Sequence, residues 1–584
     1  MRQSPLMIPT KRMSVDRNGF CRSFDSKVHT SAGIATPVFS EPVLGKSKVK
    51  INRQAAFRSA AVNTAAFAEI DQFIDFFFVP WRQIFSYYGV MRTGVKDVHS
   101  TALAYSNVPT QYPSIKNDQI FNHLNQSPDI EDMFGYKHKN GASRLLDLLN
   151  LGFVDDEHFR GFNNQAYVPW YLAAYQKIWM DHFRNTSYIS NDPGCYNLDK
   201  FVNALGVVTA VDDITCEKLT TLRYVPYRKD YFTSIYPSLN YAANMQDDFL
   251  VVPSSVVLAV DVESARNGSE MVPAFNGTQY MDPGDIATAE NSLAYLSSVD
   301  AAQQLSVQSI RAAFALDKLS RLVAYAPKHV ADQFEVRFGF RPVAEDINES
   351  MRIGSFHGSM SITEVLSTAN TDDGDQGSRL GALGGRGLMS SDWQDDIEFE
   401  APEDGCIMGI MYFLPRMTYD AGGLDSFCQI LSPVDMPDPV FQNLGLEPVY
   451  YKELKAFSLD APAGYLQEAL DDVNNQILGF QERYKRFKCG ISRNHGLFTS
   501  LCMLSDFSTH TKAEYTTYIS NDDLDDHLKY DGVAADFFYC DPADLNAIFE
   551  SSYGGRIVDD QFFGMLRFKF DVVQNLSVHG QPTI

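Results

Sequence analysis

Hydrophobic and polar positions along the chain follow more than one rhythm. Residues 69–81 read EIDQFIDFFFVPW, in which Phe73, Phe77 and Val79 share one face with Asp75 while Ile74, Phe76 and Phe78 share the other. Successive side chains of a strand point to opposite sides, so this stretch predicts a strand that is apolar on both faces and central to a large β core. Pro80 has no N–H for a ladder and ends it. Trp81, Ile84, Phe85 and Tyr88 then predict a short amphipathic helical turn closed by Gly89. Residues 406–414, CIMGIMYFL, repeat the two-faced pattern. Residues 562–573 alternate instead, with Phe562, Leu566, Phe568, Phe570 and Val572 on one side and Arg567, Lys569 and Asp571 on the other. That predicts a strand with one wet face.

Between these ends the pattern loosens. Residues 1–30 are polar, basic and without a clear period, which predicts an extended arm; residues 31–52 hold two short strand-like runs punctuated by Pro37, Pro42 and Gly45. Residues 97–165 are rich in Asn, Asp and Gly, with one helical piece near 143–151. Tyr171, Tyr175, Trp179 and Phe183 recur at helical spacing and predict a core-facing stripe. Residues 222–237 alternate aromatics with charge between prolines, 255–262 form a β-branched run, and 304–325 carry the strongest helical period. Residues 377–387 predict a flexible glycine-rich tract. Strands at both ends of the chain, joined to one core, require non-local pairing of the Greek-key or jelly-roll kind. No internal repeat suggests a propeller or solenoid.

Composition narrows this picture. The chain has 584 residues, 45% of them hydrophobic, including 41 Phe and 29 Tyr, which is ample material for a core. No apolar run approaches the roughly 20 residues of a membrane helix, and the first residues lack the apolar core of a signal peptide. A soluble chain without that export route is expected. The eight cysteines show no CxxC spacing, which predicts scattered buried thiols and neither a zinc site nor a disulfide framework. Net charge is −24, against a general polyanion binder. Yet residues 1–60 hold eleven Lys or Arg against Asp16, Asp25 and Glu41, a surplus of eight that leaves −32 on the remainder. One basic surface or arm on an acidic body is the pattern of a protein that meets nucleic acid in one place.

No catalytic constellation emerges. GALGGRG at 381–387 lacks the Lys-Ser/Thr of a phosphate loop, and there is no Gly-x-Ser-x-Gly or His-Glu-x-x-His. The acids Asp392, Asp395, Asp396, Glu398, Glu400, Glu403 and Asp404 lack EF-hand order and predict a solvated acidic strand. No catalytic, metal or cofactor residue is therefore assigned. Basic and aromatic residues interleave at Tyr224, Tyr227, Arg228, Lys229, Tyr231 and Phe232, and again at Arg483, Tyr484, Lys485, Arg486, Phe487 and Lys488. Such runs can stack unpaired bases while neutralising phosphates, or can be strands whose aromatics fill a core and whose cations face water.

Several stretches, in collinear order, resemble the major capsid protein of the microviruses, small icosahedral phages with circular single-stranded DNA. They are AGIATPVFSEPVLGKSKVKI (32–51), FFFVPWRQIF (76–85), RKDYFTSIYP (228–237), SIRAAFALDKL (309–319), GFQERYKRF (479–487) and the ending NLSVHGQPTI (575–584). The resemblance implies a mainly β fold: one eight-stranded antiparallel jelly roll of viral coat type with long inter-strand insertions, assembled in a T=1 shell. On this reading residues 1–30 are a basic arm and 31–584 one capsid domain. Residues 97–220 and 236–305 are insertions, and 240–300 a surface projection. The implied partners are identical subunits in pentamers and an icosahedral shell, packaged single-stranded DNA, other virion or scaffolding proteins and a host-surface receptor, without membrane insertion. The implied location is the virion, and the host cytoplasm before assembly. The residues expected at the DNA are Arg2, Lys11, Arg12, Arg17, Arg22, Lys27, Arg228, Lys229, Arg483 and Lys485. The rival reading is a β-sandwich that binds or cleaves glycans, which would want an export signal and exposed Trp; the chain has four Trp.

Overall fold

The structure is a computed structural model. It describes residues 17–62, 67–93, 109, 111–126, 138–154, 159–160, 165–203, 207–208, 213–237, 260–261, 295–296, 315, 318–319, 329–343, 347–366, 383–420, 422–430, 436–442, 445–454, 475–499, 502–504, 508, 517–518, 529–530, 535–545, 548–549, 552–553, 556–557 and 560–578.

Ten strands build the core: β1 (Asn18–Cys21), β2 (Phe24–Thr30), β3 (Thr36–Val43), β4 (Lys48–Val62), β5 (Ile70–Pro80), β6 (Met351–Leu366), β7 (Leu383–Ser391), β8 (Ile397–Glu400), β9 (Gly405–Pro415) and β10 (Phe562–Gln574). β1 and β2 lie end to end along β10, and β7 and β8 end to end along β4. Counting each such pair as one interrupted strand gives eight. The first pairs with the eighth, the second with the seventh, the third with the sixth and the fourth with the fifth, all antiparallel. This is a long hairpin folded back on itself. Two further antiparallel contacts, β10 with β4 and β9 with β5, roll the hairpin into two four-stranded sheets of order 1–8–3–6 and 2–7–4–5. The result is the jelly roll. β6 joins the sheets at one corner: Met351–Met360 pair with β5 and Ser361–Leu366 with β7. Earlier in β6, at the register shift between Arg352 and Gly354, a Cβ on Gly354 would lie 2.8 Å from the Ile397 side chain.

The strand at 70–80 is central, with β9 on one edge and β6 on the other. Its two apolar faces have different partners. Phe76 enters the sandwich, meeting Phe39, Phe356 and Phe568 at ring separations of 5.5, 5.6 and 6.2 Å. Phe77 faces the other way, against His182 and Phe183. The second sheet contributes Phe57, Phe562, Phe568 and Phe570 to the interior, where Phe413 stacks on Phe562 at 4.3 Å. Each fully buried Phe contributes about 2–3 kcal/mol. One inward residue breaks the apolar rule. Arg53 on β4 has no exposed surface, its guanidinium lies 5.5 Å from the Phe356 ring, and none of its guanidinium nitrogens has a hydrogen-bond partner among the described residues. Burial pushes its pKa down to about 10.

Most of the chain between the strands belongs to two excursions, 81–350 and 416–561. The first contains helices α1 (Asn117–Gln126), α2 (His138–Leu148), α3 (Trp170–Ile178) and α4 (Asp213–Thr220). α3 and the wide π turn Trp179–Phe183 carry the aromatic stripe expected at 171–183. Tyr175, Trp179 and Phe183 are buried, the Tyr175 hydroxyl donates to the Ala35 carbonyl at 2.8 Å, and Trp179 Nε1 donates to the Tyr224 carbonyl at 2.7 Å. Asp181 accepts from the Ser350 N–H at 2.8 Å and so ties this element to the start of β6. Gly33, at φ 75°, packs against the Cys540 carbonyl so closely that a Cβ would lie 2.2 Å from it.

Some local expectations change. The extended arm gives way to strand from Asn18, because Phe24 and Val28 reach the core while Asp25, Lys27 and His29 stay outside. Gly89 does not close the turn after Pro80; it lies inside a second short helix, Tyr88–Thr93. The glycine tract becomes strand from Leu383, where Gly387 fits against Met360 and Ser59. The helix expected at 304–325 lies outside the described residues except at 315, 318 and 319. The chain divides into two compact units, and the second, Ser238–Lys328 with Asp332–Phe340, contains the antiparallel pair Val260–Asp261 and Tyr295–Leu296.

Candidate nucleic-acid interface

The ten cations expected at DNA do not converge. Arg2, Lys11 and Arg12 lie outside the described residues. Arg17 is engaged, its Nε donating to Asn575 Oδ1 at 3.1 Å and its Nη2 to the Lys46 carbonyl at 3.0 Å. Arg22 is engaged too, paired with Glu41 and lying 5.4 Å from the Phe570 ring. Lys27 is exposed on β2. Arg228 reaches Asp71 at 3.1 Å and sits 4.6 Å from the Phe73 ring, while Lys229 beside it is exposed. Both line a charged hollow of about 400 Å³ with Glu69, Asp71, Asp230 and Arg416. Arg483 lies over Tyr484 at 5.4 Å, and Lys485 is 3.8 Å from Glu482.

Both basic-aromatic runs resolve largely as architecture. Tyr224, Tyr227, Tyr231 and Phe232 are buried, so no base can stack on them. Tyr231 donates to Glu453 at 3.0 Å, with burial and that carboxylate holding its phenol well above the usual range. In the second run Arg486 is held by Asp425 at 3.1 Å, and the guanidinium keeps that carboxyl below its ordinary value. Lys488 is held by Glu482. The acidic stretch 392–404 is largely exposed, with most of its acids paired. β8 lies beside β4 with Glu398 opposite Lys50 and Glu400 opposite Lys48. Lys50 also reaches Asp396 at 2.6 Å and holds its carboxyl low. Arg82 meets Glu403 at 2.7 Å. Among the described residues no group of three His, Cys, Asp or Glu is placed to hold a metal.

What sequence reasoning missed is the outward face of the second sheet. Strand register sets its side chains in rows. His29, Phe563, Arg58 and Leu388 lie side by side in one row, and Lys27, Met565, Ala56 and Ser390 in the next. Together they line a groove of about 690 Å³. Phe563 is 40% and Leu388 47% exposed, and the Arg386 guanidinium lies 5.8 Å from the Phe563 ring. Among the described residues neither Lys27 nor Arg58 forms an ion pair. The signal was present, since the alternation of 562–573 puts Phe563 on the wet side with Arg567 and Lys569.

One corner of this sheet is fastened to the first excursion. Asp560, just ahead of β10, is largely buried; Arg144 of α2 donates to both of its oxygens at 2.8 and 2.9 Å, Ser31 donates at 2.9 Å, and His29 closes the cluster. Although burial alone would raise its pKa, hydrogen bonds from His29 and Arg144 and the guanidinium charge hold the carboxyl well below the ordinary range.

Comparison with known proteins agrees with this architecture. A relative, the capsid protein VP1 of Chlamydia phage 1, is 23% identical over 550 residues, spanning 84% of this chain and 86% of that protein. The model of the family described as capsid protein (F protein) matches residues 160–533, well over half of the 584. With a jelly-roll core whose two long excursions leave the strand pairing intact, the chain belongs to the capsid protein (F protein) family of the microviruses, and its role is that of a structural coat subunit.

Proposed function

We propose that this subunit forms a T=1 icosahedral shell, through pentamers, around a circular single-stranded DNA genome, and that it works by packing and charge without catalysis. The observation that supports this most is the eight-strand pairing. It leaves most of the chain outside the strands to two excursions and builds a sandwich whose sheet edges and exposed apolar residues, such as Val440 and Met503, neighbours can cover. Family membership supports assembly with identical copies. Arg2, Lys11 and Arg12 precede the first strand and would reach the genome as a basic arm. Residues 240–300 serve as an outer projection, the natural place for a receptor contact. Scaffolding or other virion proteins guide subunits that accumulate in the host cytoplasm before assembly.

Electron microscopy of the purified protein tests the shell, and nuclease treatment tests its content. Small icosahedral particles whose extracted nucleic acid is cut by a single-strand-specific nuclease are expected. A subunit that stays monomeric at every concentration, or particles holding duplex DNA, would contradict the reading. Replacing Arg2, Lys11 and Arg12 with Ser should lower packaged DNA while shells still form.

A further inference from the structure

We propose that the bare outward face of the 1–8–3–6 sheet is a seat for unpaired nucleotides, with a base lying on Phe563 and the flanking phosphates on Lys27, Arg58 and Arg386. The inference rests on the genome-enclosing reading above and assigns that contact to a place on this chain.

Three observations carry it. The first is shape: cross-strand register makes a shallow trough of about 690 Å³, with Ala56 and Gly564 as low floor and Phe563, Leu388 and Met565 as apolar walls. Pockets of this size hold small organic ligands. The second is chemistry. A flat, 40% exposed phenyl ring is bracketed by Arg58 opposite it, Lys27 on the diagonal and Arg386 at 5.8 Å. Protein sites for single strands combine such a stacking ring with cations for the backbone, and tolerate any base because every base has a π face. The third is charge. On a chain of net −24, the acids beside this trough among the described residues are already engaged, Asp25 by Arg567 at 2.9 Å and Asp560 by Arg144 and His29. The trough is thus a local positive spot aimed at a polyanion. A double helix has no free base face to offer, so the ring selects unpaired DNA. The direct consequence is that this sheet turns its outer face toward the inside of the shell.

The test uses the full-length subunit and a fluorescein-labelled oligothymidylate, with binding read by anisotropy across a salt series. Phe563→Ala should weaken binding about tenfold and leave the salt slope unchanged, because it removes stacking alone. Phe563→Trp should restore it. Lys27→Gln with Arg58→Gln should also weaken binding about tenfold and reduce the slope of log affinity against log salt by about 1.4, roughly 0.7 for each lost phosphate contact. Lys116→Gln, exposed and outside the residues lining the trough, should change neither. Each variant is compared with wild type by thermal unfolding, so that a folding defect is recognised. If wild-type particles contain single-stranded DNA but the Phe563 and Lys27/Arg58 variants bind as wild type does, the trough assignment is overturned and the enclosing reading stands. Wild-type particles without single-stranded DNA would overturn both.

Discussion

The two sheets of the sandwich share one core but present opposite outer faces. The outer face of the 2–7–4–5 sheet is dry where α3 and the π turn lie on it: Phe77 packs on His182 and Phe183, and Tyr412 on Phe73 and Phe183. Its polar members are answered internally, Asp75 accepting from the Tyr412 hydroxyl and from Arg352, each at 2.7 Å. The outer face of the 1–8–3–6 sheet carries Lys27, Arg58, Phe563, Arg567 and Lys569 in the open. Burial on both sides demands continuous apolar sequence, and burial on one side demands alternation. The contrast in sequence rhythm between 70–80 and 562–574 is therefore a record of which sheet the chain covers itself and which it leaves for something else.

The largest expected effect separates the two faces. Phe77→Ala, on the covered side, should lose about 3–5 kcal/mol of subunit stability in urea unfolding, whereas Phe563→Ala on the bare side should stay within about 0.5 kcal/mol of wild type. Equal losses would mean that the bare face is part of the core. The next effect concerns the pin at the sheet corner. Asp560→Asn leaves the largely buried Arg144 without a counter-charge and should cost about 3 kcal/mol. Because the carboxyl titrates lower in the folded chain than in the unfolded one, its contribution is complete above the unfolded value near 3.9 and is lost as pH falls through the folded one. The variant should therefore flatten the acid limb of the stability profile below about pH 4, and an unchanged limb would refute the pin.

A smaller change of opposite sign is expected inside. Arg53→Met replaces an unsatisfied buried guanidinium by a side chain that fits an apolar site, and should stabilise the subunit by about 1–3 kcal/mol in the same unfolding assay. A loss would show that Arg53 has a partner in the assembled protein. The smallest effect belongs to the exposed rim, where Lys50→Gln breaks the pairs with Asp396 and Glu398 and should leave the melting temperature essentially unchanged.

Legibility in the sequence followed burial. The central strands at 70–80 and 405–415 and the one-sided strand at 562–574 were readable, because each has an unbroken apolar or alternating run. β1 and β2 were not, since their inward members Phe20, Phe24, Ser26 and Val28 are few, mixed in polarity and interrupted at Arg22 and Ser23. β6 was hidden for another reason: Gly354, at a register shift, and Gly358 are packed so closely by Ile397 and Met389 that they stand where an ordinary strand would hold β-branched residues. The candidate DNA contacts were chosen by residue type, which finds cations and aromatics but not their neighbours. Arg22 and Lys485 are matched by acids from elsewhere in the fold or the next turn, whereas Arg58 and Phe563 become one site through strand register, at a sequence separation no local pattern spans.

The most direct test of the bare-sheet account is ultraviolet cross-linking of DNA-filled particles followed by peptide mapping. The account predicts cross-links on peptides containing Phe563 and on the facing strands that carry Lys27 and Arg58. Cross-links absent from these strands and confined to the turns at Arg228 or Arg483 would contradict it.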